Sequence, residues 1–200
     1  MSQASKFVES SRLYFRALQP SDAEGNYLQW MNDSEVTRYL ESRYRPESIE
    51  SLKEFIVKAS SSRDNVFCAI VTKHDHRHIG NIKLGPIDWI HRRAEVGLLI
   101  GEKDCWGKGY GTEAYRMMCE HAFLTLNLHK VTAGAYVANE GSSKALVRAG
   151  FTHEGLRKSH CFFDGDYIDL AIFGFLREDF VRQELIEESL GSAIAPIAAK

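Results

Sequence analysis

The chain has 200 residues, of which 44% are hydrophobic and 26% charged, with a formal net charge of −2. That is enough chain for one domain with a sizeable core, and the near-balanced charge argues against a strongly electrostatic nucleic-acid binder. No apolar run is long enough to span a bilayer, and the polar start, Met1 to Ser11, does not read as a signal peptide, so no membrane partner is expected.

Arg12 to Leu18 reads as a first strand. Ser21-Asp22 then reads as the cap of a helix running to about Met31, because a short side-chain oxygen satisfies the free amides of a first turn. Pro46 to Ser60 reads as a second helix, with Ile49, Leu52, Phe55 and Ile56 on one face. Val66 to Val71 and Ile79 to Leu84 read as strands joined by a polar turn that holds His74, His76 and His78. The bland reading of those histidines is a solvated hairpin tip rather than a metal site, since no further ligand cluster accompanies them. Arg93 to Ile100 reads as a strand with Glu95, Gly97 and Leu99 on one side and Val96, Leu98 and Ile100 on the other.

A glycine-rich turn, Trp106 to Gly111, then opens a helix on which Ala114, Met118 and Ala122 repeat at four-residue spacing. Lys130 to Val137 alternates as a strand. Ser142 to Arg148 reads as a short helix stopped by Gly150, and Phe151 to Glu154 starts a strand region. Ser159 to Phe163 and Tyr167 to Phe175 form a hairpin about Asp164-Gly165. Residues from about Ser189 are small and apolar and are expected to be poorly ordered. The order of elements is that of a mixed α/β domain around one sheet.

The strand, glycine turn and helix from Glu95 to Glu113 carry the chemistry. Gly107, Gly109 and Gly111 let the main chain approach a ligand closely, and the amides of the turn and first helical turn suit a diphosphate, with Lys108 adding a point charge. The turn lacks the Gly-Lys-Ser/Thr ending of a P-loop and the spacing of a dinucleotide fingerprint. Taken alone, it reads equally well as a connector that lets strand and helix pack.

In order along the chain, this segment and four others resemble the GNAT superfamily of N-acetyltransferases, in the branch of ribosomal-protein (Rim-type) and spermidine acetyltransferases. The family loop, Gln/Arg-x-x-Gly-x-Gly/Ala, is matched by Trp106, Gly109 and Gly111, with an aromatic first position that is common in that branch. The other four segments are Leu13 to Asp33, Leu126 to Lys130, Asn139 to Ser143 with Gly150-Phe151, and Asp164 to Asp169. The resemblance implies a GNAT fold: a mixed, mostly antiparallel sheet splayed between its fourth and fifth strands and flanked by about four helices. It implies one domain over residues 11–180, with terminal extensions at 1–10 and 181–200.

It also implies acetyl-CoA as co-substrate and a primary amine as acceptor: a protein N-terminus, a polyamine or an amino-sugar. The main chain of Leu98, Leu99 and Ile100 is expected to bind the pantetheine arm. Trp106 and the amides of Gly107, Lys108, Gly109, Tyr110, Gly111 and Thr112 are expected to hold the pyrophosphate, with Asn139 and Ser142 near the thiol end. Glu95 is the candidate base, against the alternative of a solvated strand residue paired with Arg92 or Arg93. The tyrosine that many members place four residues before Gly-Phe is Leu146 here. Tyr136 and Ser143 are therefore the candidate proton donors to the leaving thiolate, unless it leaves unaided.

Asp88 and His91, in the loop before Arg93, and Tyr39 and Asp169 are candidate acceptor contacts, each also readable as ordinary loop or sheet packing. Tyr44 and Arg43 belong to the same rim; Phe162, Phe163 and Tyr167 wall the acceptor site, pack a dimer or pack the sheet. No metal is expected. The four cysteines form no CxxC pair, which fits a reduced, cytoplasmic setting, and Cys105 reads as packing. A monomer or homodimer is expected. The competing reading is a non-catalytic acetyl-CoA-binding sensor or partner module.

Overall fold

The computed structural model describes residues 5–184. Eight strands form one sheet in the order β1-β2-β3-β4-β5-β6-β8-β7. They are β1 (Val8–Glu9), β2 (Leu13–Ala17), β3 (Val66–Thr72), β4 (His78–Asp88), β5 (Arg93–Ile100), β6 (Lys130–Tyr136), β7 (Thr152–Phe163) and β8 (Asp166–Leu176). Every neighbouring pair is antiparallel except β5 and β6. These are the fourth and fifth strands of the sequence reading, renumbered because Val8–Glu9, expected to precede the domain, adds an edge strand beside β2.

Helices α1 (Asn26–Met31) and α2 (Ile49–Ser61) precede β3; α3 (Tyr110–Glu120) and α4 (Glu140–Ala149) flank β6. Residues 177–184 are also helical, and Phe180 is buried in the main core. The expected disorder from Ser189 lies outside the described residues.

Strand alternation gives the sheet two apolar faces. Ile82, Leu84, Val96, Val131, Ala133 and Ala135 join α3 and α4 in the larger core. Ala69 and Val71 turn the other way and meet Tyr27 and Trp30 of α1 and Leu52 and Ile56 of α2.

Several elements differ from the sequence reading. The helix expected from Ser21 is split: Pro20–Glu24 is a 3-10 turn and α1 starts only after Gly25. Asp22 does accept the Gln19 amide at 2.8 Å, but it also pairs with Arg16 at 2.7 Å, tying the turn to β2. Helix α2 starts after Ser48, whose hydroxyl caps the Ser51 amide, so Pro46 lies before the cap. Strand β4 runs on through Gly85-Pro86, absorbing them as a register shift against β5. His78 is the first residue of β4 rather than part of a solvated tip. Its Nε2 is 2.8 Å from Asn81 Oδ1, and its ring meets Trp30 edge-on at 5.0 Å. Beyond α3, His121–Thr125 continues as a π-helical turn. Two expected strand pieces merge into the long β7.

Candidate active site

The sheet opens between β5 and β6. They pair only through Arg93–Lys130, Ala94–Val131 and Glu95–Thr132. Beyond that point β5 continues along β4 to Ile100, and β6 continues along β8 to Tyr136. Thr132 marks the apex, its hydroxyl donating to the Ala94 carbonyl at 3.3 Å. The result is a wedge with one unpaired edge on each strand. Leu98 and Ile100 anchor the β5 side to the larger core, and Leu99 packs on the other face.

The glycine turn lies just past the open end of β5. Gly107 and Gly109 have φ of +72° and +81°, a left-handed conformation that side chains disfavour. A Cβ at Gly107 would meet nothing within 4 Å, so the turn is open on that side. Gly109 is the N-cap of α3 and supplies no side-chain cap. Among the described residues, the amides of Gly107, Lys108, Gly109, Tyr110, Gly111 and Thr112 have no protein acceptor; the first to find one is Glu113, bonded to Gly109 O at 3.1 Å. Six donors without an acceptor among the described residues, at the positive end of an eleven-residue helix, are an arrangement that suits an anion. Trp106 stands beside them, its indole donating to Ile100 O at 2.8 Å, so it locks the turn to the end of β5.

On the far side of the wedge, Asn139 caps α4: its Oδ1 accepts the Ser142 amide at 3.1 Å, which leaves the Nδ2 group without a partner among the described residues. Ser143 donates its amide to Asn139 O, and its hydroxyl has no partner among the described residues. Leu146 is fully buried, and its hydrocarbon side chain has no proton to donate.

Glu95 sits at the apex, exposed, opposite Thr132. The ion pair weighed against its role as base is not formed: Arg92 binds Asn127 O at 2.9 Å, Arg93 pairs with Asp88 at 3.4 Å, and Glu95 has no partner among the described residues. Tyr136 lies on the same sheet face, with Gly97 and Gly134 as the exposed floor between them. Its hydroxyl donates to Glu41 and accepts from Arg43 Nη1 at 3.1 Å. Burial, aided by the Glu41 carboxylate, pushes that phenol up to about 12.

Tyr39 belongs to this far wall, its ring stacked on Phe163 at 5.3 Å and its hydroxyl donating to Ala138 O. Arg43 and Tyr44 both donate to Phe162 O, at 2.6 and 2.7 Å, and so clasp the segment after α1 to the β7–β8 hairpin. Phe162 and Tyr167 remain exposed, 5.5 Å apart.

The other acceptor candidates occupy structural posts. Asp88 accepts the amides of Ile90 and His91 and pairs with Arg93, all beyond the closed end of the wedge. His91 lies in that same turn. Asp169 is taken up by Lys158 and the Ser159 amide, both at 2.8 Å. Cys105 is buried with Arg77 Nη2 at 3.1 Å from its sulfur. Glu41 and the glycine floor went unread in the sequence. The floor is signalled only by a glycine in each of two strands; Glu41 has no local signal.

Residues 12–152 match the acetyltransferase (GNAT) domain family. The chain belongs to the GNAT acetyltransferase family. Among its relatives is the putative ribosomal N-acetyltransferase YdaF of Bacillus subtilis, 28% identical over 86% of this chain and 94% of the relative. The spermidine N(1)-acetyltransferase of Vibrio cholerae is 27% identical over 87% of this chain and 98% of that one. A crystal structure of spermidine N-acetyltransferase from Vibrio cholerae in complex with CoA and spermine superposes with a TM-score of 0.76 at 25% identity, covering 86% of this chain and 99% of that one. This GNAT chain therefore shares the family's splayed sheet as well as its sequence.

Proposed function

We propose that the protein transfers an acetyl group from acetyl-CoA to a primary amine by direct attack, with Glu95 as the general base. One observation carries this reading: among the described residues, an acceptor-free cluster of amides, Gly107 to Thr112, adjoins an unpaired strand edge whose closed end holds an unpartnered carboxylate. These features fit the parts of a CoA thioester in order. The amides and Lys108 would hold the diphosphate. The open edge of Leu98 to Ile100 would hydrogen-bond the pantetheine arm as an added strand. Asn139 and Ser142 would face the thiol end from α4. Acetyl-CoA supplies the acetyl group as an activated thioester.

The acceptor amine, with a pKa of about 8 to 10.5, reaches the site mostly protonated at neutral pH. Glu95 takes that proton, directly or through one water, and frees the lone pair for attack; the second proton, on the nitrogen of the tetrahedral intermediate, is lost to water as the thiolate departs. A main-chain amide from the open stretch of β5 stabilises negative charge on the carbonyl oxygen. Tyr136 is engaged by Glu41 and Arg43, and Leu146 has no proton to give. The Ser143 hydroxyl is a weaker acid than a thiol and gives no help, so the thiolate leaves unaided, as a group whose pKa is near the cysteine value of about 8.5. Four cysteines that all stand as free thiols support action in a reducing compartment, the cytoplasm.

The test is thiol release from acetyl-CoA over a panel of peptides, polyamines and amino-sugars. Release with at least one class, lost in Glu95→Gln, is the expected result. Full turnover in Glu95→Gln would remove that residue from the chemistry.

A further inference from the structure

Lys83 lies in β4 between Ile82 and Leu84, both fully buried in the core under α3 and α4. Alternation therefore turns Lys83 to the opposite face, the face of Glu95 and Tyr136. Its register partner on β5 is Gly97, where a Cβ would meet nothing within 4 Å. Lys83 thus borders the open floor beside the wedge. Glu95 is two residues along β5 on the same face, opposite the register shift at Gly85-Pro86.

Lys83 is half-buried, yet among the described residues its ammonium has no hydrogen bond or ion pair. Lys6, Lys53, Lys73, Lys103, Lys130, Lys144 and Lys158 each pair with a carboxylate. Lys58 and Lys108 are unpaired but fully on the surface. Lys83 alone among the described lysines combines partial burial with no counter-charge. Withdrawing an ammonium from water is unfavourable unless an anion compensates it. Even Glu95, on the adjoining strand, forms no ion pair with it, so both charges stay available to a ligand.

We propose that the acceptor is a primary amine that carries an anionic group, a carboxylate or phosphate, and that Lys83 recognises that group while Glu95 faces the nitrogen. The inference rests on the transfer reading above and narrows its acceptor. A polyamine would set a second cation against Lys83. At the far end of the floor the Glu41 carboxylate is already engaged by Tyr136 beside Arg43, so no surplus of negative charge draws a polycation in.

The experiment measures thiol release from acetyl-CoA with matched acceptors: glycine against glycinamide, glucosamine 6-phosphate against glucosamine, and spermidine. The expected result is a kcat/KM at least about tenfold higher for the anionic member of one pair or both, with spermidine the poorest. The pair that discriminates tells carboxylate from phosphate. Lys83→Gln should abolish the discrimination, and Lys83→Glu should reverse it towards spermidine. Both variants should keep the wild-type KM for acetyl-CoA. Equal or better turnover of the neutral members or of spermidine by the wild type, or an unchanged order in Lys83→Gln, would overturn the role of Lys83 while leaving the transfer reading intact. Failure of acetyl-CoA to bind at all would instead sink the transfer reading, and this inference with it.

Discussion

Arg12 and Glu113, 101 residues apart, meet side by side: Arg12 Nε donates to Glu113 Oε2 at 2.6 Å, and the Arg12 amide donates to Oε1 at 3.0 Å. Arg12 Nη1 also donates to Lys108 O at 2.9 Å, and Ser10 Oγ to Glu113 at 2.7 Å. The turn between β1 and β2 is thereby fastened to the first turn of α3, leaving the amides of Gly107 to Thr112 held in place from behind.

That fastening has a pH signature. Burial pushes the Glu113 carboxyl up, but the hydrogen bonds from Ser10 and from the Arg12 amide and guanidinium more than reverse this, and it rests below its ordinary 4.5. A carboxylate with a depressed folded pKa adds stability that is present above the unfolded value and is lost as pH falls through the folded one. Glu113→Gln is therefore expected to lower stability by about 1–3 kcal/mol near neutral pH. The gap to wild type should shrink as pH drops below about 4.5. Urea denaturation across that range checks both; equal stabilities near pH 7 would contradict the fastening.

Gly101 ends the β5 segment under Trp30. A Cβ there would lie 2.0 Å from the Trp30 ring, which is only 4% exposed and held by its indole bond to Glu102. Gly101→Ala is expected to cost about 1–3 kcal/mol by overpacking. That corresponds to a fall in Tm of roughly 2–4 °C per kcal/mol in a domain of this size, and a thermal melt reads it directly.

Some of this was legible in the sequence and some was not. The glycine turn was, because left-handed backbone at the start of a helix selects glycine, and the signal is local. So was β5, whose Val96, Leu98 and Ile100 alternate against Glu95 and Gly97. The break at Gly25 was hidden, since Ser21-Asp22 makes a cap-like turn that does not continue. The run of β4 through Gly85-Pro86 was hidden because that dipeptide ordinarily marks a loop and here is absorbed as a bulge. The clasp of Arg43 on Phe162 joins residues 119 apart, and no local pattern reports it. Nothing in the local sequence marks Lys83; only its register with Gly97 puts it beside the open floor.

Glu95→Gln keeps the side chain's size and removes its basicity. A lost general base lowers kcat by about 10²- to 10⁴-fold. The KM for acetyl-CoA should stay unchanged, because no cofactor-facing amide is altered. Steady-state kinetics at saturating acceptor separates the two parameters.

Tyr136→Phe tests the proton donor. With its hydroxyl already donated to Glu41, Tyr136 has a structural duty, and its removal should lower kcat by less than about threefold and leave the shape of the pH profile unchanged. A drop of about 100-fold or more, the low end for a lost general acid, would return Tyr136 to the chemistry.

The unpaired main-chain amides at the start of α3 are placed to grip a diphosphate. Isothermal titration with acetyl-CoA, set beside S-acetyl-pantetheine, which has the same thioester and no diphosphate, measures that grip. Acetyl-CoA is predicted to bind in the micromolar range, about −8 kcal/mol, and the truncated thioester at least about 100-fold more weakly. Equal affinities for the two, or no heat from acetyl-CoA, would contradict it.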